Sequence, residues 1–428
     1  MDRRRFLGST FLTGAALGLP NVGWTLTDEW QQLEWSAGSL HTDDPGSEDF
    51  WAMVRNQYTV SPNIINLNNG GVAPQPKPVQ EAHNRYYQLA NEGPSYYMWR
   101  ILDQGRESLR QRLADLCGAD KDEVAINRNS TEGLNTFIFG IDLKPGDEVV
   151  LCRYDYPNMI NAWKQREKRD GIKLVWVTLD LPSENDEAMM KPYLDAVTRK
   201  TKVVHLTHMV NWNGQVFPVG KLSRILRTSR PDMHIISDSA HSFAQMEFSV
   251  SDLGCDYMAT SLHKWLCAPF GSGLMWIKKE RIPEIWALLS ATEPDGGDIR
   301  KFESLGTRSF ASEMAIGASI DFHQMIGTKR KSMRLHRLKN YWMEQASSLP
   351  GVNIYTPKSD AYSGALGVFG IEGKTPAEIE QTLFSKFGIH SVAIDYEAVK
   401  GVRITPNVYT QFSDLDRLLD GISFMTNS

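Results

Sequence analysis

Cysteine is scarce: Cys117, Cys152, Cys255 and Cys267 are the only four in 428 residues. None forms a CxxC pair or stands at metal-ligand spacing with a histidine, so no metal or thiol-redox motif is read here. Each lies in an apolar stretch, which reads as a buried free thiol. A structural disulfide stays open because the chain is a candidate for export. Excess positive charge is missing as well: 46 Lys and Arg face 51 Asp and Glu, a formal net charge of −5, and the isoelectric point is near 6.1. That balance provides no footprint for nucleic acid. Past the first few residues there is no basic run to grip an anionic membrane. Low-complexity tracts and internal repeats are absent, and 41% apolar with 23% charged residues describes a globular chain. Its length implies about two or three domains. A small molecule is the partner that remains.

A long hydrophobic run is also lacking. The apolar stretch from Phe11 to Leu19, closed by Pro20, is too short to span a bilayer. It follows Arg3-Arg4-Arg5-Phe6-Leu7, and basic residues ahead of a short apolar region form the pattern of an export signal. Paired arginines before Phe-Leu resemble a twin-arginine signal, so the twin-arginine export machinery is an expected partner and the periplasm the expected location. A frayed basic tail on a cytoplasmic enzyme is the alternative. Residues 1–24 are thus expected to be the signal and residues 25–48 a polar linker. The cleavage site, or retention as an anchor, stays open.

What is present is an alternation of short β-branched runs with longer amphipathic stretches. The runs include Glu123–Ile126, Glu148–Leu151, Leu174–Val177, Val203–Leu206 and His234–Ile236, with helices expected over Glu107–Leu116 and Leu134–Phe139 between them. Such alternation implies βαβ units and a parallel sheet. Ligands then bind beyond the carboxyl ends of the strands. After about residue 312 the pattern changes to one long helical stretch, Ala315–Leu349, and a smaller α+β segment. The expected division is 49–312, a large domain with an N-terminal segment, and 313–428, a small C-terminal domain.

The residues with chemistry follow strands. Ile236-Ser237-Asp238-Ser239-Ala240-His241 delivers an aspartate at a strand end, with small neighbours that leave room for a planar ligand. Tyr257-Met258-Ala259-Thr260-Ser261-Leu262-His263-Lys264-Trp265 delivers a lysine among apolar and aromatic groups. Partial desolvation would lower its pKa and make the amine nucleophilic. A lysine for an aldehyde and a carboxylate for a pyridine nitrogen are the pair that pyridoxal 5'-phosphate (PLP) requires. Asn129-Ser130-Thr131-Glu132-Gly133 opens a helix, which suits either a phosphate or an ordinary N-cap.

Together these motifs resemble the class V aminotransferase-like family of PLP enzymes, fold type I, in its isopenicillin N epimerase-like branch. Ser-Leu-His-Lys-Trp-Leu-Cys-Ala-Pro-Phe-Gly-Ser-Gly is similar to the family's lysine motif, and the likeness runs from about residue 62 to residue 420. It implies an α/β fold with a mainly parallel seven-stranded sheet in the large domain and a smaller α+β C-terminal domain. It implies that Lys264 carries PLP as a Schiff base and Asp238 holds the ring nitrogen. Ser130, Thr131, Ser261 and His263 match phosphate ligands, and Gly271 and Gly273 match positions of close approach to the cofactor. Thr307 matches a residue that reaches the phosphate of a neighbouring subunit, which implies a homodimer with shared active sites. Tyr156 matches the ring stacked on the cofactor. Asn211 and His241 match positions near its phenolic oxygen, with a buried structural histidine as the other reading of His241. Arg403 matches the clamp for a substrate carboxylate, with an ion pair to Asp414 or Asp416 as the other reading. Asn69 belongs to a matching substrate-side loop.

The desulfurases of this family use a cysteine in the loop before the arginine, and Gly388–Arg403 contains none. The reaction branch (transamination, epimerisation or elimination) stays open. An export signal on this fold resembles periplasmic PLP enzymes that tailor siderophore peptides such as pyoverdine. An amine-bearing, peptide-like small molecule is therefore the expected substrate. A cytosolic PLP-dependent lyase and a catalytically silent PLP-fold binding protein are the other readings.

Overall fold

The β-branched runs are strands, and their burial explains their composition. The computed structural model describes residues 28–39 and 44–427. A short strand, β1 (Ile65–Asn66), precedes seven others: β2 (Val124–Asn127), β3 (Glu148–Cys152), β4 (Lys173–Val177), β5 (Thr201–Thr207), β6 (His234–Asp238), β7 (Tyr257–Ser261) and β8 (Gly273–Ile277). These seven form one sheet in the order β2-β8-β7-β6-β5-β3-β4. Only β8 runs antiparallel, against both β2 and β7. The mainly parallel seven-stranded sheet is as expected. β2, β7 and β8 are buried along their whole length, and a sheet covered on both faces needs such near-continuous apolar sequence.

The crossover helices set the edge where chemistry gathers. Arg106–Cys117 ends at Gly118, whose φ of 66° makes a left-handed cap. Ser130–Gly140 starts on Asn129, whose side chain accepts from Glu132 N. At the carboxyl edge, Thr207 of β5 stands in register with Asp238 of β6, and Asp238 with Ala259 of β7.

The C-terminal part contains β9 (Val352–Ile354), β10 (Gly367–Ile371), β11 (Ile389–His390), β12 (Val392–Tyr396) and β13 (Val399–Ile404). An antiparallel sheet runs β12-β13-β10-β9. Trp342, Phe369, Leu383, Leu418 and Ile422 form its core with the helices Thr328–Ala346, Pro376–Phe387 and Phe412–Thr426.

Three expectations are corrected. The stretch read as a linker over 25–48 contains the helix Asp28–Ser39. Its Leu33 and Ala37, one turn apart, are buried in the main core, a two-residue apolar face too small to show as periodicity. The single stretch Ala315–Leu349 is two helices, Phe310–Ile326 and Thr328–Ala346, parted by Gly327 at φ 86°. The N-terminal segment, expected with the large domain, also joins the C-terminal part: β1 pairs in parallel with β11 in a separate two-stranded sheet. A pairing that distant leaves no local sequence signal. The signal expected over residues 1–24 lies outside the described residues.

Candidate active site

Asp238 closes β6, and the chain turns at once: Ser239 N donates to Ala259 O at 3.0 Å and Ala240 N to the Asp238 carboxylate at 3.0 Å. This turn sends His241 toward the neighbouring lysine loop. That loop leaves β7 at Ser261 and is pinned by Leu262 N to Ser272 O (3.0 Å) and Ala268 N to Leu262 O (3.1 Å). Leu262 and Trp265 are fully buried and anchor it. Between them Lys264 points back at the sheet edge, its Nζ 3.0 Å from His241 Nε2.

The electrostatics follow from burial. Desolvation pulls the Lys264 amine down to about 8; the Asp238 carboxylate opposes this and Arg403 adds to it. Burial raises the Asp238 carboxyl, with the Ala240 N–H and Lys264 pulling the other way. A protonated pyridine nitrogen is the kind of partner that restores such a carboxylate to its charged form. His241 is held well below its usual range by burial, then by Lys264 and Arg403. It is therefore neutral and able to accept from the lysine.

Ser130 and Ser261 meet at the helix entry. Ser130 N donates to Ser261 Oγ and the two hydroxyls lie 2.9 Å apart. Thr131 is half-buried at the next position. His263, also half-buried, has Nδ1 3.0 Å from Ser272 O, which fixes that nitrogen as the donor. Backbone N–H groups and hydroxyls at a helix start are suited to a phosphate.

Arg403, on β13, is buried, and burial lowers it to about 10. It donates Nη1 to Asn211 O at 2.8 Å and Nη2 to Asn68 Oδ1 at 3.1 Å. The surface-pair reading fails, because Asp414 pairs with Arg55 at 2.8 Å and Asp416 accepts from Tyr341 at 2.5 Å. Tyr156 stands 40% exposed at the start of the helix Pro157–Asp170, near enough to Arg403 to raise its pKa.

Among the described residues, buried polar atoms without a partner include Asn211 Oδ1, His241 Nδ1 and Arg403 Nε. Buried groups of this kind are costly unless a ligand pairs them. With Lys264, Asp238 and the Ser130–Ser261 corner they provide an amine, an anion, a phosphate seat and a carboxylate clamp. These residues fit PLP and an amino acid.

Two expected residues differ in setting from the others. Asn69 is fully buried and satisfied within the fold: Nδ2 donates to Thr405 O and Asn66 O, and Oδ1 accepts from Tyr409. It braces the loop, and its neighbour Asn68 is the residue that touches Arg403. The spacing hid this because either asparagine suits the motif. Thr307 is exposed in the loop before the helix Phe310–Ile326. Gly273 approaches its own chain rather than open space: an added Cβ would fall 2.6 Å from Asn129 N. At Gly271 there is nothing within 4 Å, and its φ of 77° is what requires glycine.

Asp155 was missed altogether. Its buried carboxyl accepts from Thr207 Oγ1 and Cys152 N, both at 2.7 Å. Burial pushes it to about 7, and the nearby Asp238 adds to the rise. Only its place beside Tyr156 in the sequence pointed to it.

Fold and site define a PLP-dependent enzyme of fold type I. The chain belongs to the aminotransferase class V family, whose profile matches residues 65–418. It is 26% identical over 398 residues to the isopenicillin N epimerase of Streptomyces clavuligerus, covering 88% of this chain and 98% of the relative. A probable cysteine desulfurase of Halalkalibacterium halodurans is 27% identical over 75% of this chain and 80% of its own length. Among solved structures, a C-DES variant with glycine covalently linked to the PLP cofactor superposes with a TM-score of 0.78. It is 22% identical and covers 86% of this chain and 98% of its own. The apo cysteine desulfurase of Thermococcus onnurineus NA1 gives 0.77 at 23% identity, with 87% and 97% covered.

Proposed function

We propose that this PLP-dependent enzyme is exported and acts on the amine of an amino acid or a peptide-like metabolite by transamination or epimerisation, with a siderophore peptide such as pyoverdine as the candidate substrate. The observation that carries the amine chemistry is the desolvated Lys264, held at about 8 beside neutral His241 and buried Asp238. PLP, when bound, supplies an aldehyde for the amine and an electron-poor ring that stabilises negative charge on the adjoining carbon. Asp238 keeps the ring nitrogen protonated through its negative charge. Lys264 would hold the cofactor, and its amine could take and return the proton on the substrate's α-carbon, as its pKa near working pH allows. His241 receives a hydrogen bond from that amine and fixes its direction. Arg403 would receive the substrate carboxylate, to which its fork is matched, and Tyr156 would be the aromatic group to cover a bound ring.

A desulfurase route is disfavoured. The stretch Gly388–Arg403 contains no cysteine, and all four cysteines are buried. Export is supported by Arg3-Arg4-Arg5-Phe6-Leu7 ahead of Phe11–Leu19, and by the benefit of loading a buried cofactor before transport. A homodimer with shared sites is supported by the match of Thr307, which is exposed in a loop whose end, Phe310, packs on exposed Trp99. The amine chemistry is tested by borohydride reduction of the purified holoenzyme and peptide mass mapping. A PLP-sized adduct on Lys264 is expected, absent from Lys264→Ala; an adduct on another lysine overturns the reading. Fractionation of wild-type and Arg4→Lys/Arg5→Lys cells tests export: activity should leave the periplasm in the variant.

A further inference from the structure

The loop that carries Lys264 is tied from behind by a group that the proposed chemistry does not use. Lys331, on the helix Thr328–Ala346 of the C-terminal part, is only 3% exposed, and its Nζ donates to the backbone carbonyl of Trp265, the residue after Lys264. Burial lowers its pKa, and the neighbouring Cys267 opposes that. The partner is a neutral carbonyl. Lys339, further along the same helix, instead meets the Asp360 carboxylate at 3.2 Å and the Ser363 hydroxyl. A buried ammonium is costly without an anion, and an apolar side chain of the same length would pack there at lower cost. Stability alone therefore gives no reason for a lysine at this position.

The loop supplies a reason. Cys267 holds φ at 56°, in the left-handed region that a side chain makes unfavourable. Such a residue persists only where its surroundings over-determine it. Its N–H donates to Lys264 O at 3.2 Å, so the strained turn closes directly on the reacting lysine. Three tethers from other parts of the chain converge here: Ala73 N donates to His263 O at 3.1 Å, Asn407 Nδ2 to Cys267 Sγ at 3.6 Å, and Lys331 Nζ to Trp265 O. The first two join neutral groups. Of the three, Lys331 alone brings a charge-assisted bond, roughly twice as strong as a neutral one. It falls on the peptide between the lysine and the strained residue.

We infer that Lys331 is a positioning residue for the amine chemistry: its hydrogen bond to Trp265 O holds the 264–267 turn in the form that keeps the Lys264 amine against His241 and out of water. Its partner is a backbone carbonyl, so it acts through the loop and not on the reacting atoms. This inference rests on the amine-handling reading above.

The test mixes the full-length protein, freed of cofactor, with PLP and follows the appearance of colour across pH; the wild-type midpoint should lie at about 8. Lys331→Met removes the donor and keeps the bulk. Its midpoint is expected to rise by at least about one pH unit, because a loosened amine that regains water holds its proton more tightly. Lys331→Gln keeps an N–H donor without the charge and should stay at about 8. Lys339→Met, a change in the same helix, should lower the urea midpoint and leave the colour midpoint where it is. A colour midpoint unchanged in Lys331→Met overturns the inference and leaves the amine reading standing. An equal rise in Lys331→Gln and Lys331→Met overturns it too, because the ammonium would then act through its charge alone. So does an equal rise in Lys339→Met, which would mean that any loss in that helix disturbs the loop. If Lys331→Met does not fold, Lys331→Gln decides: a raised midpoint overturns the inference, and one at about 8 supports it. No colour with the wild type sinks the amine reading and this inference with it.

Discussion

A single amine governs the residue scale. Lys264 loses hydration without gaining a full ion pair: desolvation, helped by Arg403, outweighs the pull of Asp238 and lowers the amine from 10.5 to about 8. Only the neutral amine attacks an aldehyde. Below about 8 the protonated fraction dominates, so apoenzyme mixed with PLP should develop colour about ten-fold faster per pH unit gained. Above about 8 the rate should level off. Asp238→Asn removes the charge that raises Lys264, so the midpoint should move to lower pH. Stopped-flow absorbance at several pH values checks both, and a midpoint near the ordinary lysine value would contradict the buried geometry.

At the level of elements the outcome depends on how closely β8 lies against the helix entry Asn129–Thr131. Gly273 has no room for a side chain, since a Cβ would meet Asn129 N at 2.6 Å and Asn129 Cα at 2.7 Å. Gly273→Ala should therefore cost about 1–3 kcal/mol as overpacking, seen as a lower urea midpoint. It should also weaken PLP retention, because the displaced backbone is the one that opens the phosphate corner. Gly271→Ala meets no atoms and should leave PLP retention unchanged, paying only for its φ of 77°. The local signals that locate these elements were legible in the sequence. β6 and β7 show as apolar runs ending in Asp238 and Ser261, and Lys264 follows in a motif with few structural alternatives. What escaped was decided by distant partners. Asn68 and Asn69 are neighbours with opposite fates, because Thr405 and Tyr409 engage one and Arg403 the other. Asp155 owes its raised carboxyl to burial first, with Asp238 adding to the rise and the Thr207 hydroxyl opposing it, both partners lying on strands distant in the sequence. The Leu33 helix and the β1–β11 pair likewise depend on contacts that no window of sequence contains.

On the scale of the whole molecule, exposed Thr307 is the residue that the proposed homodimer would share. The corner formed by Ser130, Thr131, Ser261 and His263 is served by the chain's own β7 and helix entry, while Thr307 is exposed in the loop before the helix Phe310–Ile326. Exposed Tyr96 stacks edge-on with Tyr97, and Trp99 packs on Phe310, three residues past Thr307, with Arg308 between them. Trp99, exposed beside that loop, and Tyr96 are aromatic surface of the kind that an interface between copies would cover. If each site borrows Thr307, then Thr307→Ala and Lys264→Ala damage different subunits of the same site. Homodimers of Thr307→Ala should hold PLP about ten-fold more weakly, the loss of one charge-assisted hydrogen bond. Homodimers of Lys264→Ala should give no borohydride adduct. After the two are mixed, dissociated and reassembled, each heterodimer has one site with its own Lys264 and a borrowed Thr307 intact. At a PLP concentration too low to fill the Thr307→Ala dimers, reassembly should raise the adduct yield above that of the unmixed proteins. Yield unchanged by mixing, with exchange of subunits confirmed by mass, would mean that Thr307 serves no second subunit.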